Sequence, residues 1–245
     1  MILQLSPDAP LLAHMAAKAA LALHIGGGTM GMASGTVAIL ARRGGRLHRV
    51  AGTVFVISML AMAGVGAIVS PMMPDDPWVN TTAAVLTLYL VLTSWVAARR
   101  RPGPVGRFEA LAAVVPVGVI VVTAGLAFTT AGTSAAGGVA PLYLFAVFAT
   151  IAAVGDVVAV RRGLSSVARV TRHLWRMGLA LFIAVGSFFL GQQRVMPKAI
   201  QGSPLLYLPV LFVIGALLFW LIRIRVAPWL RRRVPIAPSP QEVLS

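Results

Sequence analysis

In RVTRHLWRMGLALFIAVGSFFLGQQ, residues 169–193, Arg169, Arg172, His173 and Arg176 stand where a long apolar run begins. A second histidine, His48 in GGRLHRVAG, occupies the equivalent place at the start of another apolar run. Two neutral imidazoles at one depth on different helices are what an axially ligated haem requires, because their nitrogens take opposite faces of the iron. Arg49, Arg172 and Arg176 would then neutralise propionates, or hold the anionic part of a quinone-like ligand. The plainer alternative makes all of them interfacial residues beside anionic lipid headgroups.

His24 belongs elsewhere. The roughly 17 residues from it to Ala41 correspond to about 25 Å of helix, so it cannot join His48 and His173 in one small site. It opens LALHIGGGTMGMASG, in which Gly27, Gly31 and Gly35 form two overlapping GxxxG steps. Such a lane admits a neighbouring helix closely, or a flat ligand beside His24. Gln192, Gln193 and Arg194 end the run that follows His173, and either finish a helix in water or hydrogen-bond toward His24 or His14.

Asp156, in AAVGDVVAVRRG, is an acid inside an apolar stretch, where an unpaired charge is expensive and a partner is expected. Arg161, Arg162 and Arg172 are candidates for a structural ion pair, and a proton relay is the alternative. Glu109, close to Arg107 at a helix start, favours the positive end of the helix and reads as structural.

The absence of cysteine excludes disulfides, thiolate metal ligands and thiol catalysis. No Walker loop, HExxH, GxSxG or dinucleotide fingerprint appears, so the sequence gives no support to an ATPase, zincin or serine hydrolase. No metal site is expected beyond a cofactor's own, and whether the chain is an enzyme stays open.

The elements that must position these residues are membrane helices. Of 245 residues 58% are hydrophobic and 11% charged, with a mean hydropathy of +0.89. A helix needs roughly 20 apolar residues to cross the hydrocarbon core. Seven stretches qualify, near Ala19 to Ala41, Val50 to Ser70, Thr81 to Ala98, Ala110 to Thr130, Pro141 to Val160, Leu174 to Gly191 and Leu205 to Ile224. The expected fold is all-α, a polytopic bundle over residues 19–233. Residues 1–18 form an outer segment, of which Pro10 to Lys18 extends the first helix or lies as a short amphipathic piece on the outer surface, and 234–245 form a disordered tail.

The net charge of +15 is positional. Basic connections, ARRGGRLHR, ARRRPGPVGR, RRGLSSVARVTRHLWR and RIRVAPWLRRR, alternate with PMMPDDPWVN, TTAGTSAAGGVA and GQQRVMPKAIQGSP. Only Lys18, Arg194 and Lys198 of the 21 basic residues fall on the second side, which places the N-terminus outside and the C-terminus in the cytoplasm. The charge therefore points to anionic phospholipid headgroups as partners and not to nucleic acid. Asp75 and Asp76 fall in an outer loop, and Trp78, Trp95, Trp175, Trp220 and Trp229 sit near helix ends as an interfacial belt.

LHIGGGTMGMASG leading through ARRGGRLHR to VAGTVFVISML, then LTLYLVLTSWVAARR, the Gly155–Asp156 pair and RHLWRMGLALFIAVGSFFLGQ resemble the family called domain of unknown function 2306. The likeness covers most of residues 20–198. It implies a polytopic bacterial inner-membrane protein and supports His24, His48, Asp156, His173 and Arg176 as functional positions without assigning roles. Three functions compete: a haem- or quinone-binding redox protein, a small-solute or proton transporter, and a non-catalytic lipid-binding scaffold.

Overall fold

The computed structural model describes residues 9–73, 77–130 and 140–233. Asp75, Asp76, most of the TTAGTSAAGGVA connection, residues 1–8 and the expected tail 234–245 lie outside the described residues. Among the described residues the protein is helical throughout, with no strand beyond a single isolated bridge. The long helices are α1 (Leu11–Leu40), α2 (Arg46–Val69), α3 (Pro77–Arg99), α5 (Val114–Thr130), α6 (Ala140–Arg162), α7 (Ser166–Phe189) and α8 (Leu208–Arg233), with a short α4 (Arg107–Ala112) before α5.

Among the described residues five stretches are long and apolar enough to cross a membrane: Arg46–Met72, Trp78–Arg99, Arg107–Thr129, Pro141–Arg162 and Pro204–Ile224. The remaining long helices, α1 and α7, are diluted differently. Glycine, serine and threonine lower the hydropathy of α1, whereas three arginines and a histidine occupy the first half of α7.

Residues 11–18 extend the first helix. Pro10 caps it, its carbonyl accepting from the N–H groups of Ala13 and His14, and proline at a helix start loses nothing by lacking a donor. At 30 residues, α1 is about 45 Å long, well beyond a hydrocarbon core of about 30 Å. The stretch expected from Ala110 to Thr130 is interrupted at Ala113, between α4 and α5. Pro116 has no N–H to offer the Ala112 carbonyl, which is where an uninterrupted helix would need one.

α3 and α7 form the centre. α3 packs against α2, α5, α6 and α7, while α7 also meets α1 and α8. Their inward faces supply Leu86, Leu90, Val91 and Ala180, all fully enclosed with Met59, Ala149 and Ala152 from α2 and α6. α1 and α2 pack as a hairpin along the glycine lane. A Cβ at Gly27 would stand 2.9 Å from the Ser58 carbonyl, and one at Gly35 would stand 2.7 Å from the Phe55 ring. The lane is thus filled by α2, leaving no bare face for a flat ligand.

Two connections at the basic end are stitched together. Gly103 N–H donates to Leu164 O at 3.1 Å and Leu164 N–H to Gly103 O at 2.8 Å. Gly163 ends α6 at φ +71°, and a Cβ there would lie 2.8 Å from Gly103 O. Left-handed backbone and close approach both call for glycine at this position. Ser165 then starts α7, its hydroxyl accepting from Ala168 N–H at 3.2 Å. This tie fixes where α6 ends and α7 begins.

Candidate functional site

Asp156 lies one and a half turns before the end of α6 and is 1% exposed. Arg172 and Arg176, one turn apart on α7, both reach its Oδ1, at 2.5 Å and 2.6 Å. Tyr89 on α3 donates its hydroxyl to Oδ2. Arg176 also donates to Thr93 Oγ1 at 2.5 Å, and its guanidinium stands 4.9 Å from the Tyr89 ring centre. Thr93 follows Tyr89 by four residues, so α3 presents both to α7 from one face. One carboxylate therefore ties three helices.

The tie is electrostatic before it is directional. Arg176 forms an aligned hydrogen bond to the carboxylate, whereas the closest Arg172 nitrogen is near enough to pair but not aligned, and Nε of both arginines finds no acceptor. Two enclosed guanidiniums on one enclosed carboxylate leave a positive surplus inside the bundle. Removing the carboxylate would strand both.

The second cluster sits on the neighbouring face of α7. The rings of His48 and His173 lie 6.5 Å apart between centres and 77° apart in plane. His48 Nδ1 is 2.9 Å from Ala38 O at the end of α1. His173 Nδ1 is 3.1 Å from Ser94 Oγ and 3.4 Å from Ser94 O, while the Ser94 hydroxyl is also 2.9 Å from the His173 carbonyl. Each ring is held through Nδ1, and neither Nε2 is hydrogen-bonded to a described residue. That is how metal-binding imidazoles are oriented from behind.

The other sequence candidates are dispersed. Arg49 is exposed and donates to Gly44 O at 3.0 Å. Together with the engagement of Arg172 and Arg176 by Asp156, this takes all three arginines away from the histidine pair. His24 is far from it, its Nδ1 2.9 Å from Met62 O across the α1–α2 hairpin. Gln193 braces its own loop, accepting from Gly202 N–H at 2.9 Å, and Gln192 precedes the short turn beginning there, its backbone carbonyl accepting from Val195 N–H at 3.1 Å without a side-chain cap. Arg161 and Arg162 are exposed at the end of α6 and do not pair with Asp156. Glu109 is buried and pairs with Arg100 instead of Arg107, its Oε2 accepting from Gly106 N–H at 3.0 Å.

Sequence reasoning missed Tyr89, Thr93 and Ser94. Their signal was a tyrosine, a threonine and a serine within the apolar run LYLVLTSW, two of them one turn apart. Among the described residues no group of three or more His, Asp or Glu side chains gathers to hold a metal ion. Comparison with protein-family models, curated proteins and solved structures finds no match.

Proposed function

We propose that this chain is a membrane redox protein that carries a haem or quinone at His48 and His173. The observation that carries the reading is the meeting of these two rings, each oriented through Nδ1. The rings stand 6.5 Å apart between centres, so two imidazoles from different helices come together with neither Nε2 hydrogen-bonded to a described residue. A quinone in its reduced, quinol form would donate its hydroxyls to the same Nε2 atoms, which are bare acceptors in neutral rings whose Nδ1 carries the proton. On the haem version the two histidines would be the iron ligands, and the bound iron would supply one-electron chemistry. Ser94 and the Ala38 carbonyl hold the rings in place.

The arginines take a different part in this reading from the one their sequence positions suggested. Arg172 and Arg176 brace the bundle through Asp156, beside the cofactor rather than upon it. An enclosed, fully engaged Asp156 also favours a structural role over a proton relay, which would need a wet cavity.

The placement that goes with this function is a bacterial cytoplasmic membrane, with seven spans, the N-terminus outside and the C-terminus inside. The arginine distribution supports that orientation, and α1 and α7 become spans because neighbouring helices cover their polar faces. The resemblance to domain of unknown function 2306 read from residues 20–198 of the sequence implies the same placement.

The test is the visible spectrum of protein purified in mild detergent from cells supplied with haem precursor, oxidised and then dithionite-reduced. A Soret band with sharpened reduced bands, absent from His48→Ala and His173→Ala, is expected of the haem version. Mass spectrometry of the same preparation detects a co-purified quinone. A folded preparation holding neither group, under conditions where a control cytochrome is loaded, removes the redox reading.

A further inference from the structure

A groove of about 390 Å³ runs between the basic end of α1 and the facing side of α8, lined by Ile39, Leu40, Phe212, Gly215, Phe219 and Trp220. It is almost wholly apolar, and no residue of Asp156's network or of the histidine pair lines it. Leu40 and Phe219 remain 65% and 56% exposed along it. Trp220 closes the end, its Nε1–H donating to the Ile39 carbonyl at 3.0 Å and so tying the two helices.

Two guanidiniums gather on that same indole. Arg43 lies 3.7 Å from the ring centre and Arg223 lies 5.2 Å from it. Like charges are thereby held on one small aromatic surface, and Arg43 Nη2 is buried with no acceptor. Burial, and after it the charge of Arg223, lower the Arg43 pKa from its ordinary value. Among the described residues the acids are Glu109 and Asp156, and both are paired with other arginines. An apolar trough ending in two uncompensated cations has the shape and polarity of one particular occupant.

We propose that this groove is a binding site for an anionic phospholipid, with an acyl chain along α1 and α8 and the phosphate held by Arg43 and Arg223. The phosphate supplies acceptors to the unpaired guanidinium nitrogens and relieves the repulsion between the arginines. The acyl chain covers apolar surface that the helices leave open. Arginine is suited to this position because its planar fork stacks on Trp220 while its edge donates to phosphate oxygens.

The experiment is native mass spectrometry of the full chain in detergent, titrated with phosphatidylglycerol or phosphatidylcholine. Wild-type protein is expected to prefer phosphatidylglycerol by roughly 30-fold, the factor for two basic groups at a charged surface. Arg43→Gln/Arg223→Gln should bring the two lipids within about threefold of each other, while Arg162→Gln, an exposed arginine elsewhere on the basic side, keeps the preference. A Cβ at Gly215 meets nothing within 4 Å, so Gly215→Leu fills the trough without straining the fold and should weaken both lipids. An unchanged preference in the double variant overturns the proposal. So does equal binding of glycerol phosphate, which would mark a free-anion site, or a dimer that Gly215→Leu dissociates, which would make the groove a contact between copies.

Discussion

Arg176 on α7 and Asp156 on α6 meet at 2.6 Å with both side chains enclosed, 0% and 1% exposed. The pair draws α6 toward the central helices through long side chains, and Tyr89 and Thr93 of α3 complete its coordination. Such a pair contributes less as an attraction than as a penalty for being broken. Asp156→Ala should therefore cost about 3–5 kcal/mol of stability, because it leaves two guanidiniums without their carboxylate. Asp156→Leu combined with Arg172→Leu and Arg176→Met should recover most of that loss. Melting in detergent, followed by circular dichroism, distinguishes the two. A triple variant no better than Asp156→Ala would show that the network contributes more than charge compensation.

Ser94→Ala removes the hydroxyl that joins α3 to the His173 ring and carbonyl. The expected loss is about 1 kcal/mol, the usual worth of one buried hydrogen bond. If a cofactor is carried, its absorption band should also broaden or shift as the ring loses its support, whereas the same substitution at Thr53, an exposed hydroxyl on α2, should leave the band alone. A band indifferent to Ser94→Ala would disconnect this serine from the cofactor.

The glycine lane predicts an ordering instead of a single value. Gly27→Ala drives a methyl to 2.9 Å from the Ser58 carbonyl, fixed backbone that cannot yield, and should cost about 1–3 kcal/mol. Gly31→Ala meets the Met59 sulfur at a similar 2.9 Å, but a thioether chain can swing aside, so its cost should be smaller. Gly26→Ala meets nothing within 4 Å and should be neutral or slightly stabilising through helix propensity. Melting temperatures in any other order would count against a lane packed on α2.

Orientation is checkable because the chain has no cysteine of its own. Gln201→Cys should react with a membrane-impermeant maleimide on intact spheroplasts. Arg101→Cys should react only after the membrane is opened. The reverse pattern would invert the topology, and labelling of both from outside would remove an odd number of spans between them.

Parts of this arrangement were legible in the chain because they are local. Apolar runs announced the helices, and the spacing of Gly27, Gly31 and Gly35 announced a close neighbour. The cost of Asp156 in an apolar segment announced a partner, yet not which one. Arg161 and Arg162 are nearest in sequence but fall on other faces of the same helix, whereas Arg172 and Arg176 return to it only after the Gly103–Leu164 tie has turned the chain. Tyr89 and Thr93 were harder still, since hydroxyls in an apolar helix commonly bond their own backbone, as Thr93 does with Tyr89 O at 2.6 Å. What joins them to α7 is tertiary placement, which no spacing within one helix encodes. The meeting of His48 and His173 was foreseeable in depth alone, and their attachment to Ala38 and Ser94 was not.

The composition of α7 bears on how the bundle is made. On the seven-span reading Arg172 and Arg176 stand at the start of their span, where each opposes transfer into lipid by less than the roughly 2.5–3.5 kcal/mol of a helix-centre arginine. A segment carrying both, with their guanidiniums turned into the bundle, nevertheless gains from a partner when it leaves the translocation machinery. α6, emerging first with Asp156, supplies the charge that lowers this barrier, and the short Gly163–Ser165 connection keeps it within reach. The two helices would then enter as a hairpin during synthesis, and a ribosome stalled after α6 but before α7 would leave the carboxylate waiting in the membrane for a partner still to be translated.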